Sequence, residues 1–257
     1  MTQEEDAQME EEDAEKAQHY ENMDEMPYEL QKYWHQRYLI FSLYDDGIMF
    51  TKSAWFGVTP EPVARKIAAH IALAAPKHKT AIIDAFGGAG GSAIALARSG
   101  RWDQVFAIEK DPEVIKCGKR NAEIYGVSKK IWWIQGDCFD VLKARFKGVG
   151  KNYVIFASPP WGGPQYTDTT IFDLKKMEPY SIEHIYSNFA KVTKDIVLYL
   201  PRNSNLNQLV KYASADREMP IIHYCMKGAS KALCAYVGEF SYPLQNGANE
   251  AETAIQE

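Results

Sequence analysis

Between Ala81 and Leu200, five short apolar runs alternate with helical stretches, and that alternation decides most of what the chain can become. Residues 81–85, 105–109, 131–135, 153–157 and 195–200 read as strands. Their near-continuous apolar character is that of strands covered on both faces. Helical segments fill 92–99, 112–125, 139–146 and 181–192 between them. Such alternation predicts a mostly parallel sheet with helices on both faces. A further helix is expected at 206–213. Runs 220–226 and 232–240, joined by the polar turn 227–231, then read as a hairpin. The hairpin brings the sheet to seven strands, with one antiparallel strand at the edge.

Two helical segments precede the first strand. Leu30, Trp34, Tyr38 and Phe41 fall on one face of a helix expected over 27–43, and Asp45-Asp46-Gly47 is a turn. Thr59 as N-cap and Pro60 as first helical residue would open a second helix running to Leu73. The expected organisation is an acidic disordered tail over 1–26, a small helical subdomain over 27–75, a main domain over 76–243 and a disordered tail over 244–257.

Charge is divided unevenly. Residues 1–27 hold eleven Asp or Glu and one Lys, a local balance of −10, so a whole-chain charge of −5 leaves +5 on the remainder. A mildly basic body suits a polyanionic substrate. The four cysteines form no C-x-x-C pair, so no metal site is expected and the thiols read as reduced. No apolar run approaches the roughly 20 residues that a membrane helix needs, and the acidic N-terminus has no leader pattern.

The strand ends carry the chemistry. The first strand ends in Asp84, followed by Ala85-Phe86-Gly87-Gly88-Ala89-Gly90-Gly91. Glycines such as Gly88 and Gly90 let backbone approach a ligand closely or adopt positive φ. The third glycine of a dinucleotide fingerprint and the P-loop lysine are both missing. The second strand ends in Glu109, placed to accept bonds from ribose hydroxyls. Asp137, after the third strand, is placed either to meet the exocyclic amine of an adenine or to cap the following helix. Three carboxylates around a glycine turn fit S-adenosyl-L-methionine better than NAD, because a sulfonium cofactor brings no phosphate for them to repel. The fourth strand leads into Ser158-Pro159-Pro160-Trp161-Gly162-Gly163-Pro164-Gln165. Prolines fix φ and cannot donate, so nearby carbonyls stay free to accept. Trp161 can stack on a planar base, while the Ser158 hydroxyl and the Pro159 carbonyl hold an amino group in line with a methyl group.

The chain resembles the trimethylguanosine synthases, in their compact fungal form, from about Tyr33 to Tyr236. The resemblance rests on Lys32 to Tyr38, Asp45 to Ile48, Trp55 to Glu61, the Asp84 glycine turn, Ser158 to Pro164, and Tyr199 to Asn203. It implies a class I (Rossmann-like) methyltransferase fold and methylation of N2 in 7-methylguanosine caps of small nuclear and nucleolar RNAs. It further implies that Phe41 and Thr59 close over a cofactor held by Asp84, Gly88, Gly90, Glu109 and Asp137. Trp161 would stack on 7-methylguanine with Ser158 and Pro159 near N2, and Lys32, Arg202 and Asn203 would lie near the cap phosphates. Glu109 departs from the aspartate expected in animal relatives, yet its longer side chain still reaches a ribose. Nuclear residence, nucleolar in particular with the cytoplasm as a second compartment, and ribonucleoprotein partners with basic tails are also implied. Two other readings stay open. One is an amino-methyltransferase acting on adenine, cytosine or glutamine, although Asn or Asp is common there in place of Ser158. The other is a non-catalytic cap-binding scaffold.

Overall fold

The computed structural model describes residues 16–146, 152–163, 166, 169–226 and 228–241. The expected tails at 1–15 and 244–257, together with Pro164, Gln165 and Lys227, lie outside the described residues.

Seven strands form one sheet: β1 Ala81–Asp84, β2 Gln104–Glu109, β3 Ile131–Gln135, β4 Tyr153–Ala157, β5 Ile196–Pro201, β6 Ile221–Met226 and β7 Ala229–Val237. Their spatial order is β3-β2-β1-β4-β5-β7-β6. Strands β1 to β5 are parallel, and β7 runs against both β5 and β6. The reversed strand β7 therefore sits one place inside the edge, with β6 outside it. The expected class I α/β architecture is this fold.

Strand periodicity explains the two cores. Ile82, Val154, Phe156 and Val197 face one cluster, while Ile83, Ile155, Ala157, Ile196 and Leu198 face the other. Alternate residues point to opposite faces, so every residue of β1 and β5 is buried. Four longer helices flank the sheet, αA Glu61–Ala74, αB Gly91–Arg98, αC Pro112–Ile124 and αE Ile182–Phe189, with the short αD Cys138–Val141 ahead of αE.

The segment before β1 departs from expectation in three places. A single helix over 27–43 is broken into a turn at Tyr28–Leu30 and one-turn helices at Gln31–Trp34 and Arg37–Ile40. The Arg37 guanidinium lies over the Trp34 and Tyr38 rings at 4.0 and 4.1 Å and donates to the Trp34 carbonyl at 3.0 Å. That carbonyl is the one a continuous helix would give to the Tyr38 amide. Residues 16–26, grouped with the acidic tail by charge, pack onto the body: Gln18 and Phe50 exchange backbone bonds at 2.8 Å, and Tyr20 and Met26 are buried. Thr59 does not cap αA. Pro60 occupies the cap position, and the Thr59 side chain instead bonds Tyr199.

Two later helices also differ. Residues 206–213 form separate 3-10 turns at Leu206–Gln208 and Val210–Tyr212, because the Gln208 side chain accepts from the Leu174 amide at 2.8 Å and donates to Asp173. Residues 139–146 divide into αD and a π-helical turn at Leu142–Phe146. In the hairpin, β7 starts at Ala229, so the strand takes up three residues of the expected turn, with an irregularity at Tyr224/Cys225.

Opposite the strands' carboxyl ends, Lys79 meets Asp195 at 2.7 Å with side chains only 5% and 3% exposed. Asp195 also accepts the Glu239 amide at 2.6 Å. Replacing one member leaves the other buried without its countercharge. Asp195→Ala should lower unfolding free energy by about 3–5 kcal/mol in urea titrations, while affinity for S-adenosylhomocysteine stays at the wild-type value.

Candidate active site

Parallel strands in register bring four sequence signals to one edge. Asp84, Glu109 and Ala157 end β1, β2 and β4, and Asp137 follows two residues after β3. The strand order reverses between β2-β1 and β4-β5, which is where open α/β sheets leave a crevice.

The glycine turn is built for close approach. Gly87 donates to the Ile108 carbonyl at 2.8 Å, tying the turn to β2. Gly88 and Gly90 have φ of +51° and +95°. A Cβ on Gly90 would lie 3.3 Å from Gly118 Cα in αC, whereas one on Gly88 meets nothing within 4 Å. Glu109 braces the turn: Oε2 accepts the Gly88 amide at 3.1 Å, and Oε1 accepts the Lys110 and Asp111 amides at 2.8 and 3.1 Å.

Asp84 is wholly buried, with Oδ1 accepting the Phe86 amide at 3.4 Å and Oδ2 lacking any partner. Burial pushes its carboxyl up to about 8, opposed by backbone amides and assisted by the neighbouring Glu109 charge. Of the two roles considered for it, Asp137 fills the helix cap. Oδ1 caps αD through the Phe139 and Asp140 amides at 2.9 and 3.4 Å, and Oδ2 accepts the Tyr180 hydroxyl at 2.9 Å.

Phe41 and Thr59 lie against the start of αB. A Cβ on Gly91 would be 3.4 Å from the Thr59 carbonyl oxygen and 3.9 Å from Phe41 Cζ. Glu61 fixes this contact. Its Oε2 accepts the Ser42 amide at 2.7 Å and the Tyr125 hydroxyl at 2.6 Å, and Oε1 meets Arg98 at 3.3 Å. Asn121 of αC adds a second tie, bonding both Met49 backbone groups and the Ala89 carbonyl.

At the end of β4, Pro159 is buried and Ser158 and Trp161 are half-buried. Trp161 Nε1 donates to the Tyr199 carbonyl at 3.3 Å. Tyr166 stands edge-on to its ring at 5.0 Å, and Tyr199 lies 5.5 Å away at 34°.

The three residues expected at phosphates are dispersed. Lys32 is exposed beside Tyr33, and Arg202 reaches the Ser230 carbonyl at 3.5 Å. Asn203 turns inward: Nδ2 donates to the Tyr166 and Thr169 carbonyls at 2.8 and 2.7 Å, stapling the loop after Trp161. Sequence reasoning missed Tyr166, Tyr180, Glu61 and Asn121 as supports. Tyr166, five residues beyond Trp161, and Glu61, in the quoted Thr59-Pro60-Glu61 segment, had a local signal. Tyr180 and Asn121 had none.

Among the described residues, no Lys or Arg pairs with Asp84, Glu109 or Asp137. An uncompensated carboxylate set, an orphan oxygen and open space above Gly88 fit a cationic nucleoside cofactor. Among the described residues there is also no cluster of metal-ligating side chains.

Residues 79–240 match the family described as RNA cap guanine-N2 methyltransferase. The chain belongs to that family. It is 36% identical over 213 residues to the trimethylguanosine synthase of Schizosaccharomyces pombe, covering 82% of this chain and 87% of the relative. The Saccharomyces cerevisiae trimethylguanosine synthase is 35% identical over 180 residues, 69% of this chain and 56% of the relative. Among solved structures, a protein assigned as a methyltransferase from Porphyromonas gingivalis W83 aligns with TM-score 0.58 at 13% identity, over 83% of this chain and 51% of that one, and supports the fold. The protein is thus an S-adenosylmethionine-dependent methyltransferase whose substrate is capped RNA and whose target is the cap guanine N2. Among the described residues no helix is long and apolar enough to cross a membrane.

The Asp84 carboxyl makes a pH prediction with a definite sign. Without ligand, the folded chain keeps a proton on Asp84 that the unfolded chain releases above about pH 4. Between about pH 4 and 8 the folded state binds more protons, so this residue makes stability fall as pH rises. Asp84→Asn should flatten that fall, measured as the wild-type-minus-variant difference in urea unfolding at pH 5 and pH 8.

Proposed function

We propose that the protein methylates N2 of 7-methylguanosine twice, giving the 2,2,7-trimethylguanosine cap of small nuclear and nucleolar RNAs. Its workplace would be the nucleus, nucleolus in particular, with ribonucleoprotein proteins carrying basic tails as partners. The names of the two yeast relatives support the product. The observation that carries the cap reading is the fixed indole of Trp161, pinned through Nε1 and edged by Tyr166, at the strand end beside the carboxylates.

In this reading Asp84, Gly88, Gly90, Glu109 and Asp137 hold the cofactor, with Phe41 and Thr59 covering it. The cofactor supplies an electrophilic methyl group on a sulfonium. Asp84, freed of its proton, would answer that positive charge with its unpartnered oxygen. Asp137 keeps a lone pair on Oδ2 beside the Tyr180 bond for an adenine amine. Trp161 stacks on 7-methylguanine, whose N7 methyl makes the ring cationic. Stacking plus cation–π attraction is worth about 2–4 kcal/mol, more than neutral guanine would gain. Ser158 Oγ and the Pro159 carbonyl accept from the N2 amine and aim its lone pair at the methyl carbon. As the new N–C bond formed, the methyl carbon's bond to sulfur would break, leaving a neutral thioether, and the N2 proton would leave to water. Lys32 and Arg202 contribute positive charge toward the cap phosphates, and Asn203 acts on the site through the loop it staples.

Labelled S-adenosylmethionine with m7GpppG should give label in N2-methylated 7-methylguanosine after digestion, with none from GpppG. Equal label from both caps, or label on another nucleoside alone, would overturn the reading. Trp161→Ala should lower kcat/KM on m7GpppG by about 30- to 1,000-fold, the equivalent of the stacking and cation–π energy.

A further inference from the structure

The N-terminal segment carries two exposed aromatic rings, Tyr28 and Phe56, that the cap site does not use. Tyr28 is 88% exposed and Phe56 52% exposed. The turn Tyr28–Leu30 runs directly into the helix Gln31–Trp34, so Lys32 follows Tyr28 by one helical turn and shares its face. Lys32 Nζ lies 6.0 Å from the Phe56 ring centre. Tyr33 meets Phe56 edge-on at 5.8 Å and 89°, which braces the ring. Among the described residues Lys32 has no carboxylate within 4 Å, whereas neighbouring Lys52 is paired with Glu29 at 2.7 Å. The result is a cation that no carboxylate pairs among the described residues, with the exposed Phe56 ring beside it and the exposed Tyr28 one turn earlier in the chain.

These groups adjoin the site. Phe56 belongs to the helical turn Ala54–Gly57, which leads at once into Val58 and Thr59. Those two residues lie against Gly91 of the cofactor turn, and the Thr59 side chain bonds Tyr199, the neighbour of Trp161. A base seated on Trp161 is joined through phosphates to the rest of its RNA, so the next nucleotides must cross the rim of this site.

We propose that Tyr28, Lys32 and Phe56 form a binding site for the single-stranded nucleotides that follow the cap. The Lys32 ammonium attracts a backbone phosphate, and the two rings stack on bases without reading their sequence, since every base has a π-face. A site for phosphate alone would need no exposed rings, and an apolar protein contact would not keep a bare cation beside them. The inference rests on the reading of Trp161 as the cap wall.

The test compares m7GDP with an m7G-capped pentanucleotide as methyl acceptors for wild type, Tyr28→Ala and Phe56→Ala. Each variant should raise KM for the capped pentanucleotide about fivefold or more while leaving kcat/KM on m7GDP unchanged. Tyr28 is almost fully exposed, so its variant keeps the fold even if Phe56→Ala does not. Raising salt from 50 to about 200 mM should weaken the pentanucleotide more than m7GDP. Equal losses on both acceptors, or no loss on either, would overturn the nucleotide site. Wild type inactive on m7GDP and on the capped pentanucleotide would instead overturn the cap reading. Activity on m7GDP with an unchanged preference in Tyr28→Ala would sink the nucleotide site alone.

Discussion

Everything chemical in this protein depends on burying a parallel sheet on both faces. Strands that must hide every side chain can place polar groups only where they end, and in-register parallel strands end together. Asp84 shows the cost of that rule at its limit: it ends β1 while still inside the core, with one oxygen unpartnered. Glu109 and Asp137, a little further out, are satisfied by backbone amides and by Tyr180. The three carboxylates therefore differ in solvation although all stand at strand ends. Burial raises the proton affinity of Asp84.

Support for the site comes from groups that never face it. Glu61 gathers contacts from three places, Ser42, Tyr125 and Arg98, and so holds Phe41 against αB. Asn121 does the same between Met49 and Ala89 through three bonds from one buried carboxamide. On the other side, Asn203 staples the loop after Trp161. Each ties together segments far apart in the chain, and Asn121 does so wholly through backbone groups.

The parallel core was legible because its signal is repeated. Strand limits at 131–135 and 153–157 match the sequence pattern, and the others differ by a residue or so. The glycine turn and the strand-end acids were legible from spacing, and the structure gathers them at one edge. What escaped was local structure overridden by tertiary bonds. Arg37 takes the carbonyl that would extend a helix past Trp34, Gln208 is drawn toward Asp173 and Leu174, and Thr59 bonds Tyr199 instead of capping. No window of sequence contains both partners of such contacts. The loop bonds of Asn203 were hidden for the same reason, since Tyr166 and Thr169 lie more than thirty residues before it.

The region matched by the family model begins at residue 79, yet the folding unit does not. Asn121 and Glu61 each spend hydrogen bonds on residues before 50, and the αC carboxylate Glu113 accepts the Ala17 amide at 3.1 Å. A polypeptide cut at the start of that region would lose αA as well and carry an open seam along αB and αC, with a carboxamide and a phenol facing water where Met49, Leu43 and Glu61 had been. Phe50, Trp55 and Tyr44 form one buried aromatic cluster on the far side of that seam. The leading segment is thus less an appendage than the missing side of the molecule, and a fragment trimmed to residues 79–240 would lose the wall that packs against αB and αC.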